Sequence, residues 1–387
     1  MSRLEARATG RLAIENGRIV TPDAVVEGGI VIEEGRIQVV EEGLESAAET
    51  RIDAAGRVVM PGIVDLHGDD VENHLFPRSG ARMRMPIAVT SVDRSNVAAG
   101  ITTKFHALSF RENPDKDRSP ELAAELIDAI ETTETVLGDH RIHARCEISD
   151  ETAVEAVAEV IDRGVPDLVS VMTHIPGKGQ FREIENYLSY HKGRGEDAYE
   201  RAKRRVEEAG EIDHEYLRDN IDRIVDRAQN AGIPVASHDD ESAAEVERIA
   251  DRGVGISEFP ITMGAAKRAD ELDVTTVMGA PNLVRGESQW GNLGSRAAID
   301  EGLVDVLVAD YHPPSMLAAA FVDTGEPLYE RVARLTATPA DAVGLEDRGR
   351  IESGARADLL VVDADPTPVV EWAFVDGSPV YRTGGDR

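Results

Sequence analysis

Residues 63–69, IVDLHGD, place four mostly apolar residues ahead of a histidine and a carboxylate two positions apart. On an extended strand, side chains at i and i+2 leave the same face, so His67 and Asp69 are placed to share one ion. Seven further runs repeat the plan of an apolar stretch with polar residues at or near its C-terminal end. They are TTKFHAL (102–108), RIHARCEI (141–148), LVSVMTH (168–174), IPVASHD (233–239), GISEF (255–259), TVMGAPN (276–282) and DVLVADY (305–311). Helical patterns fill the gaps. Ser119 reads as an N-cap with Pro120 at the first helical position, followed by Leu122, Leu126, Ile127 and Ile130 at helical spacing. Asp150 opens a similar run through Val154, Val157, Val160 and Ile161, and Gly164 ends it. Alternating strand and helix signals predict a parallel sheet, and eight strands predict an α/β fold of the (β/α)₈ TIM-barrel type.

The ends of the chain have a different texture. Between Leu12 and Val59, and again from Gly349, short β-branched segments are broken by glycine. The expected organisation is a barrel over 60–345 flanked by 1–59 and 346–387, which together form a small β-sandwich module.

Asp and Glu total 73 against 42 Lys plus Arg, a formal charge of -31, which argues against nucleic acid or an anionic membrane as partner. Lysine occurs only at positions 104, 116, 178, 192, 203 and 267, so arginine carries most of the positive charge. That balance predicts a halophilic protein, in which salt screens like-charge repulsion. The single Cys146 and the lack of a long apolar run predict a soluble cytoplasmic protein, compatible with homo-oligomers.

Barrel enzymes build their sites at the C-terminal ends of the strands. There the sequence offers His67, Asp69, Glu147, His174, His238 and Asp310 as metal-ligating or acid-base residues. His143, Arg145 and Glu147 alternate along one strand face, so Arg145 can grip Glu147 or an anionic substrate. Asp310 can bind metal or accept a proton from attacking water. Imidazole and carboxylate without thiolate point to zinc, manganese or iron, as one ion or two. Within this acidic chain, Arg78, Arg82 and Arg84 cluster after the first strand, and PGKGQFR adds Lys178, Gln180 and Arg182 with two glycines that let backbone N–H groups approach an oxyanion. Their placement predicts a phosphorylated small-molecule substrate. His140, His191 and His214 read as surface histidines, Trp372 as part of the β module, and Trp290 as a residue near the barrel mouth.

MPGIVDLHGD, the paired terminal β segments and Asp310 resemble the amidohydrolase superfamily. DLHGDDVENHLFPRSGARM, GITTKFHALSF, HARCEI, HIPGKGQF, SHDDES, GAPNLVRGESQWGN and ADYHPPSML more narrowly resemble the PhnM-type phosphonate-metabolism proteins. The resemblance implies cleavage of the α–β phosphoanhydride of α-D-ribose 1-methylphosphonate 5-triphosphate, with release of diphosphate, in the carbon–phosphorus lyase pathway. It assigns His67, Asp69, Glu147, His174, His238 and Asp310 to metal or acid-base roles, and Arg78, Arg82, Lys178 and Gln180 to phosphate contacts. It departs at His106, where the family often has Asp, and at Asp70, where Asn is common. Either change would act on the hydrogen bonds behind the ligands, with His106 and Asp239 as outer residues.

Two other readings compete. One is an amidohydrolase acting on a cyclic amide or nucleobase, against which stands the lack of a lysine at the end of the third or fourth candidate strand. The other is a non-catalytic metal-binding barrel subunit, against which stands the full set of candidate ligands.

Overall fold

The structure, a computed structural model, describes residues 10–44, 48–78, 80–113, 118–193, 195–209, 214–288 and 291–383. Strands β1 (Leu12–Val20), β2 (Val25–Glu33), β3 (Arg36–Glu42), β4 (Thr50–Asp53) and β5 (Val58–Pro61) come first. Strands β6 (Ile63–Gly68), β7 (Ile101–Ser109), β8 (Asp139–Glu147), β9 (Leu168–Met172), β10 (Val235–His238), β11 (Ile256–Glu258), β12 (Thr275–Gly279) and β13 (Val306–Val308) alternate with helices. Strands β14 (Leu359–Asp363), β15 (Val369–Val375) and β16 (Ser378–Arg382) complete the chain.

Strands β6 to β13 lie in sequential order in one sheet, and a parallel bridge between Gly68 and Asp310 brings its first and last members together. This is the (β/α)₈ arrangement expected from the eight polar-ended runs. β6, β7 and β9 are buried along their whole length, as a parallel sheet covered on both faces requires. Several strands stop short of the sequence reading: β6 at Gly68, β10 at His238 and β13 at Val308, so Asp69, Asp239 and Asp310 stand just beyond them. β9 stops at Met172, so His174 stands in the loop beyond it, and TVMGAPN turns helical at Ala280, because Pro281 suits the first turn of a helix but cannot donate within a strand. The expected caps form: Ser119 Oγ accepts the Leu122 N–H, and the Asp150 side chain accepts from Thr152 and Ala153.

The second sheet joins both ends of the chain in the order β16-β15-β14-β5-β1-β2-β3, with β4 on β1. Its core includes Ile14, Ile30, Val59, Leu359, Val361 and Phe374. Trp372 packs against this core, stacked on Phe374 at 6.0 Å with Arg382 over its ring at 4.5 Å.

The chain divides into two compact units. One is Met1–Phe105, Ala129–His140 and Val306–Arg387, and holds the terminal sheet with β6 and β13. The other is His106–Asp128 and Arg141–Asp305, and holds most of β8 and all of β9 to β12. No helix among the described residues is long and apolar enough to cross a membrane.

Candidate metal and anion sites

In the first unit, β6 carries His67 into a buried position, and two backbone hydrogen bonds tie its end to Asp310. The Asp310 N–H donates to the His67 carbonyl (2.8 Å), and the Asp69 N–H donates to the Asp310 carbonyl (3.0 Å). Asp310 has φ 51°, left-handed geometry that Asp tolerates better than most residues and that redirects its side chain at the strand end.

Behind His67 lies a group the sequence reading missed. Lys104, only 2% exposed on β7, donates to Asp65 (2.7 Å) and Asn96 (3.4 Å) and pairs with Asp70 (2.9 Å). Burial alone would depress the ammonium pKa, but the facing Asp65 and Asp70 carboxylates outweigh it and raise it. The other oxygen of Asp65 accepts the N–H groups of His67 (3.3 Å) and Ala309 (2.9 Å), so one buried carboxylate aligns β6 and the end of β13. A side chain at Gly68 would collide with Lys104, which is why glycine stands inside the motif. The signal was present in TTKFHAL: a lysine inside an apolar strand must find counter-charges.

Arg78, Arg82 and Arg84 are all exposed in the segment after β6, where Arg78 and Ala81 form a bridge.

In the second unit, Glu147 closes β8 completely buried. Its oxygens accept the His174 backbone N–H (3.0 and 3.1 Å), His174 Nδ1–H (3.1 Å), Ser149 Oγ–H (2.6 Å) and Arg111 (3.3 Å). Burial raises the carboxyl pKa, but these donors outweigh it and bring it to about 2. An ionised carboxylate can only accept, so it fixes the His174 proton on Nδ1 and leaves Nε2 for a ligand. Arg111 pairs with Glu147 at 3.3 Å.

Because the folded pKa lies below the unfolded value of about 4.3, Glu147 contributes stability at neutral pH that drains away as pH falls from about 5 towards 2. Chelator-treated protein is expected to lose thermal stability over that window, and Glu147→Gln to show a flatter profile in the same scan.

His238 ends β10, its ring 5.7 Å from that of His174. Burial opposes protonation of both rings. In His174 it prevails over Glu147 and lowers the pKa, whereas in His238 the neighbouring Asp239 outweighs it and raises the pKa. One donor atom from each of His174, His238 and Asp239 lies within 4.8 Å of the others. Two imidazoles and a carboxylate at that separation suit a divalent ion such as zinc or manganese. Asp239, expected only as an outer residue, therefore sits among the donors, turned there by φ 61°.

Buried His106, His143, Arg145 and Glu258 also belong to this unit; His143 Nε2 lies 2.9 Å from Ser170 Oγ and 3.9 Å from Glu258. Glu258, buried at the end of β11, was legible in GISEF as a strand-terminal carboxylate but was passed over. So was Asp240, whose carboxyl burial pushes up to about 6 against hydrogen bonds from Ser237 and Ser257.

A cavity in the same unit is lined by Lys178, Gly179, His238, Asp239, Glu241 and Arg248, among others. Arg182 is exposed, and the Gln180 side chain and Trp290 lie outside the described residues. Two expectations of surface histidines are corrected. His191 is 7% exposed, edge-on to Tyr187 and Tyr190, because it shares the apolar face of its helix. His140 is held by the buried Asp93 at 2.9 Å.

A family model described as the amidohydrolase family matches residues 313–373. The α-D-ribose 1-methylphosphonate 5-triphosphate diphosphatase of Escherichia coli is 32% identical over 358 residues, 90% of this chain and 94% of its own. An imidazolonepropionase of Streptomyces coelicolor is 26% identical over 93% of this chain and 90% of its own. Among solved structures, a 5-methylcytosine deaminase from Klebsiella pneumoniae superposes with TM-score 0.65 at 15% identity, covering 97% of this chain and 99% of that one, which supports the barrel fold. The chain belongs to the amidohydrolase superfamily and, within it, to the family of the Escherichia coli α-D-ribose 1-methylphosphonate 5-triphosphate diphosphatase.

Proposed function

We propose that this protein is a metal-dependent diphosphatase that cleaves the α–β phosphoanhydride of a ribose 5-triphosphate bearing a 1-phosphonate, with α-D-ribose 1-methylphosphonate 5-triphosphate as the first substrate to test. The observation that carries this reading is local to the second unit: His238 and Asp239 of the His174, His238 and Asp239 donor group line the same cavity as Lys178 and Gly179. A cation and a glycine-bearing loop beside metal donors favour a polyanion over an uncharged ring. Near end-to-end similarity to a diphosphatase supports the same class.

His174, His238 and Asp239 would hold an ion, with Glu147 keeping His174 in its ligating tautomer, and His67, Asp69 and Asp310 would serve as metal or acid-base residues at the strand ends of the first unit. When bound, the ion would supply an acidified water and offset charge on the phosphoryl oxygens. Asp310 would take the proton from the attacking water as its oxygen joins the α phosphorus and the bond to the bridging oxygen breaks. Lys178, with Arg78, Arg82 and Arg145, would neutralise the departing diphosphate, which leaves a ribose 1-phosphonate 5-phosphate. The acid excess and the preference for arginine support a protein that works at high salt.

Phosphorus NMR of metal-loaded protein with the sugar triphosphate tests the reading. Diphosphate is the expected product, and a chelator is expected to stop its release. Release of monophosphate would move the cleavage to the terminal phosphorus, and turnover of cyclic amides or nucleobases alone would reject the phosphate reading.

A further inference from the structure

His238 and Glu258 are neighbours by register. Strands β10 and β11 run parallel with Ser237 opposite Ser257 and His238 opposite Glu258. Alternation along the strands puts both serines on one sheet face and the histidine and glutamate on the other. The hydroxyls show the first half of this, because Ser237 Oγ and Ser257 Oγ both donate to Asp240 Oδ2. His238 and Glu258 are paired on the opposite face, with one donor atom from each within 4.8 Å of the other. Glu258 is completely buried, and His143 Nε2, itself 2.9 Å from Ser170 Oγ, lies 3.9 Å from its carboxylate.

A neutral imidazole that ligates a metal through one nitrogen carries a proton on the other, and in a buried site that N–H needs an acceptor. His174 has one in Glu147, which takes its Nδ1–H. For His238 the two nitrogens are told apart by Asp239. Its Oδ2 lies 3.4 Å from His238 Nδ1, longer than the about 2.7–3.2 Å of an N–H···O hydrogen bond. Two ligands each roughly 2.0 Å from a tetrahedral ion stand roughly 3.3 Å apart, so this pair has the spacing of two donors to one ion. Nδ1 then serves the ion and Nε2 carries the proton. The carboxylate beside it on the same barrel face is Glu258.

We propose that Glu258 is the positioning carboxylate of His238: it accepts the Nε2–H, holds the ring in the tautomer that presents Nδ1, and so sets how tightly the group of His174, His238 and Asp239 holds a divalent ion. This inference rests on the metal-binding half of the proposed function. Glu147 at the end of β8 and Glu258 at the end of β11 then play matching parts, one buried carboxylate behind each imidazole. Glu258 acts through His238 and is not itself a ligand.

The test is the zinc affinity of chelator-stripped full-length protein, measured against a competing chromophoric chelator, with circular dichroism checking that each variant is folded. Glu258→Leu removes the acceptor and is expected to bind zinc about 10- to 100-fold more weakly, the range associated with losing the partner of a ligating histidine. Glu258→Gln keeps an oxygen acceptor without the charge, and a smaller loss is expected there. Action through His238 also predicts what a merely structural role would not: in His238→Ala protein, Glu258→Leu weakens zinc binding no further. Equal losses with and without His238, or unchanged affinity in both Glu258 variants, would overturn the positioning role. So would X-ray absorption showing that Glu258→Leu loses an oxygen ligand and keeps its imidazoles, which would make Glu258 a ligand. The two ideas fail separately. The expected zinc pattern without cleavage of the sugar triphosphate rejects the reaction alone, and weaker binding in His238→Ala with both Glu258 variants silent rejects the positioning role alone. Wild-type zinc affinity in His238→Ala removes the ion site and the positioning role with it.

Discussion

Asp310→Asn is expected to lower kcat for release of diphosphate by about 10²- to 10⁴-fold while leaving the protein folded, the range associated with removing a positioned proton acceptor. The backbone makes that loss selective. Asp310 is fixed by its own N–H on the His67 carbonyl and by its carbonyl on the Asp69 N–H, and neither bond uses the side chain. Asparagine tolerates φ 51° as well as aspartate does, so the substitution adds no strain. It also keeps a side-chain oxygen while losing the capacity to take a proton at neutral pH. Rate, metal content and thermal midpoint measured on one preparation separate these effects. A loss of rate with metal and midpoint retained is the expected pattern, and an unchanged rate would remove Asp310 from the chemistry.

The second large effect is expected at a residue that touches no substrate. Lys104→Met leaves Asp65 and Asp70 buried without their cation, and breaking a buried ion pair from one side typically costs about 3–5 kcal/mol. Much of that cost is the charge left behind, so Lys104→Met combined with Asp70→Asn is expected to recover part of it. Denaturant midpoints of the single and double variants check this, and additive losses would show that the charges do not act as one group. The alignment of His67 with the end of β13 runs through Asp65, so the single variant is also expected to bind metal more weakly. The pairing explains the sequence departure at Asp70: a carboxylate there accompanies a lysine buried one strand away.

The barrel was legible because its evidence is repetitive. Each strand is a short apolar run ending in polar residues, and the caps at Ser119 and Asp150 mark where the intervening helices begin. His174 shows the limit of that method: LVSVMTH is apolar enough to suggest a strand to its last residue, yet Glu147 takes the His174 N–H and draws the chain out of the sheet after Met172. Such a contact spans 27 residues and has no local signature. The same reason hid Lys104, whose counter-charges come from another strand and the turn after it. It also hid Glu241, which takes the Gly179 N–H that the glycine pattern had suggested was open to an oxyanion. Glu258 is different, since it was visible as a carboxylate at a strand end and needed only the rule already applied to Asp310.

The account depends on imidazoles meeting around a divalent ion, and X-ray absorption at the metal edge of zinc- or manganese-loaded protein tests that most directly. At least two imidazole ligands with oxygen donors are predicted, falling by one in His238→Ala. A shell of oxygen alone, or one indifferent to that substitution, would contradict it.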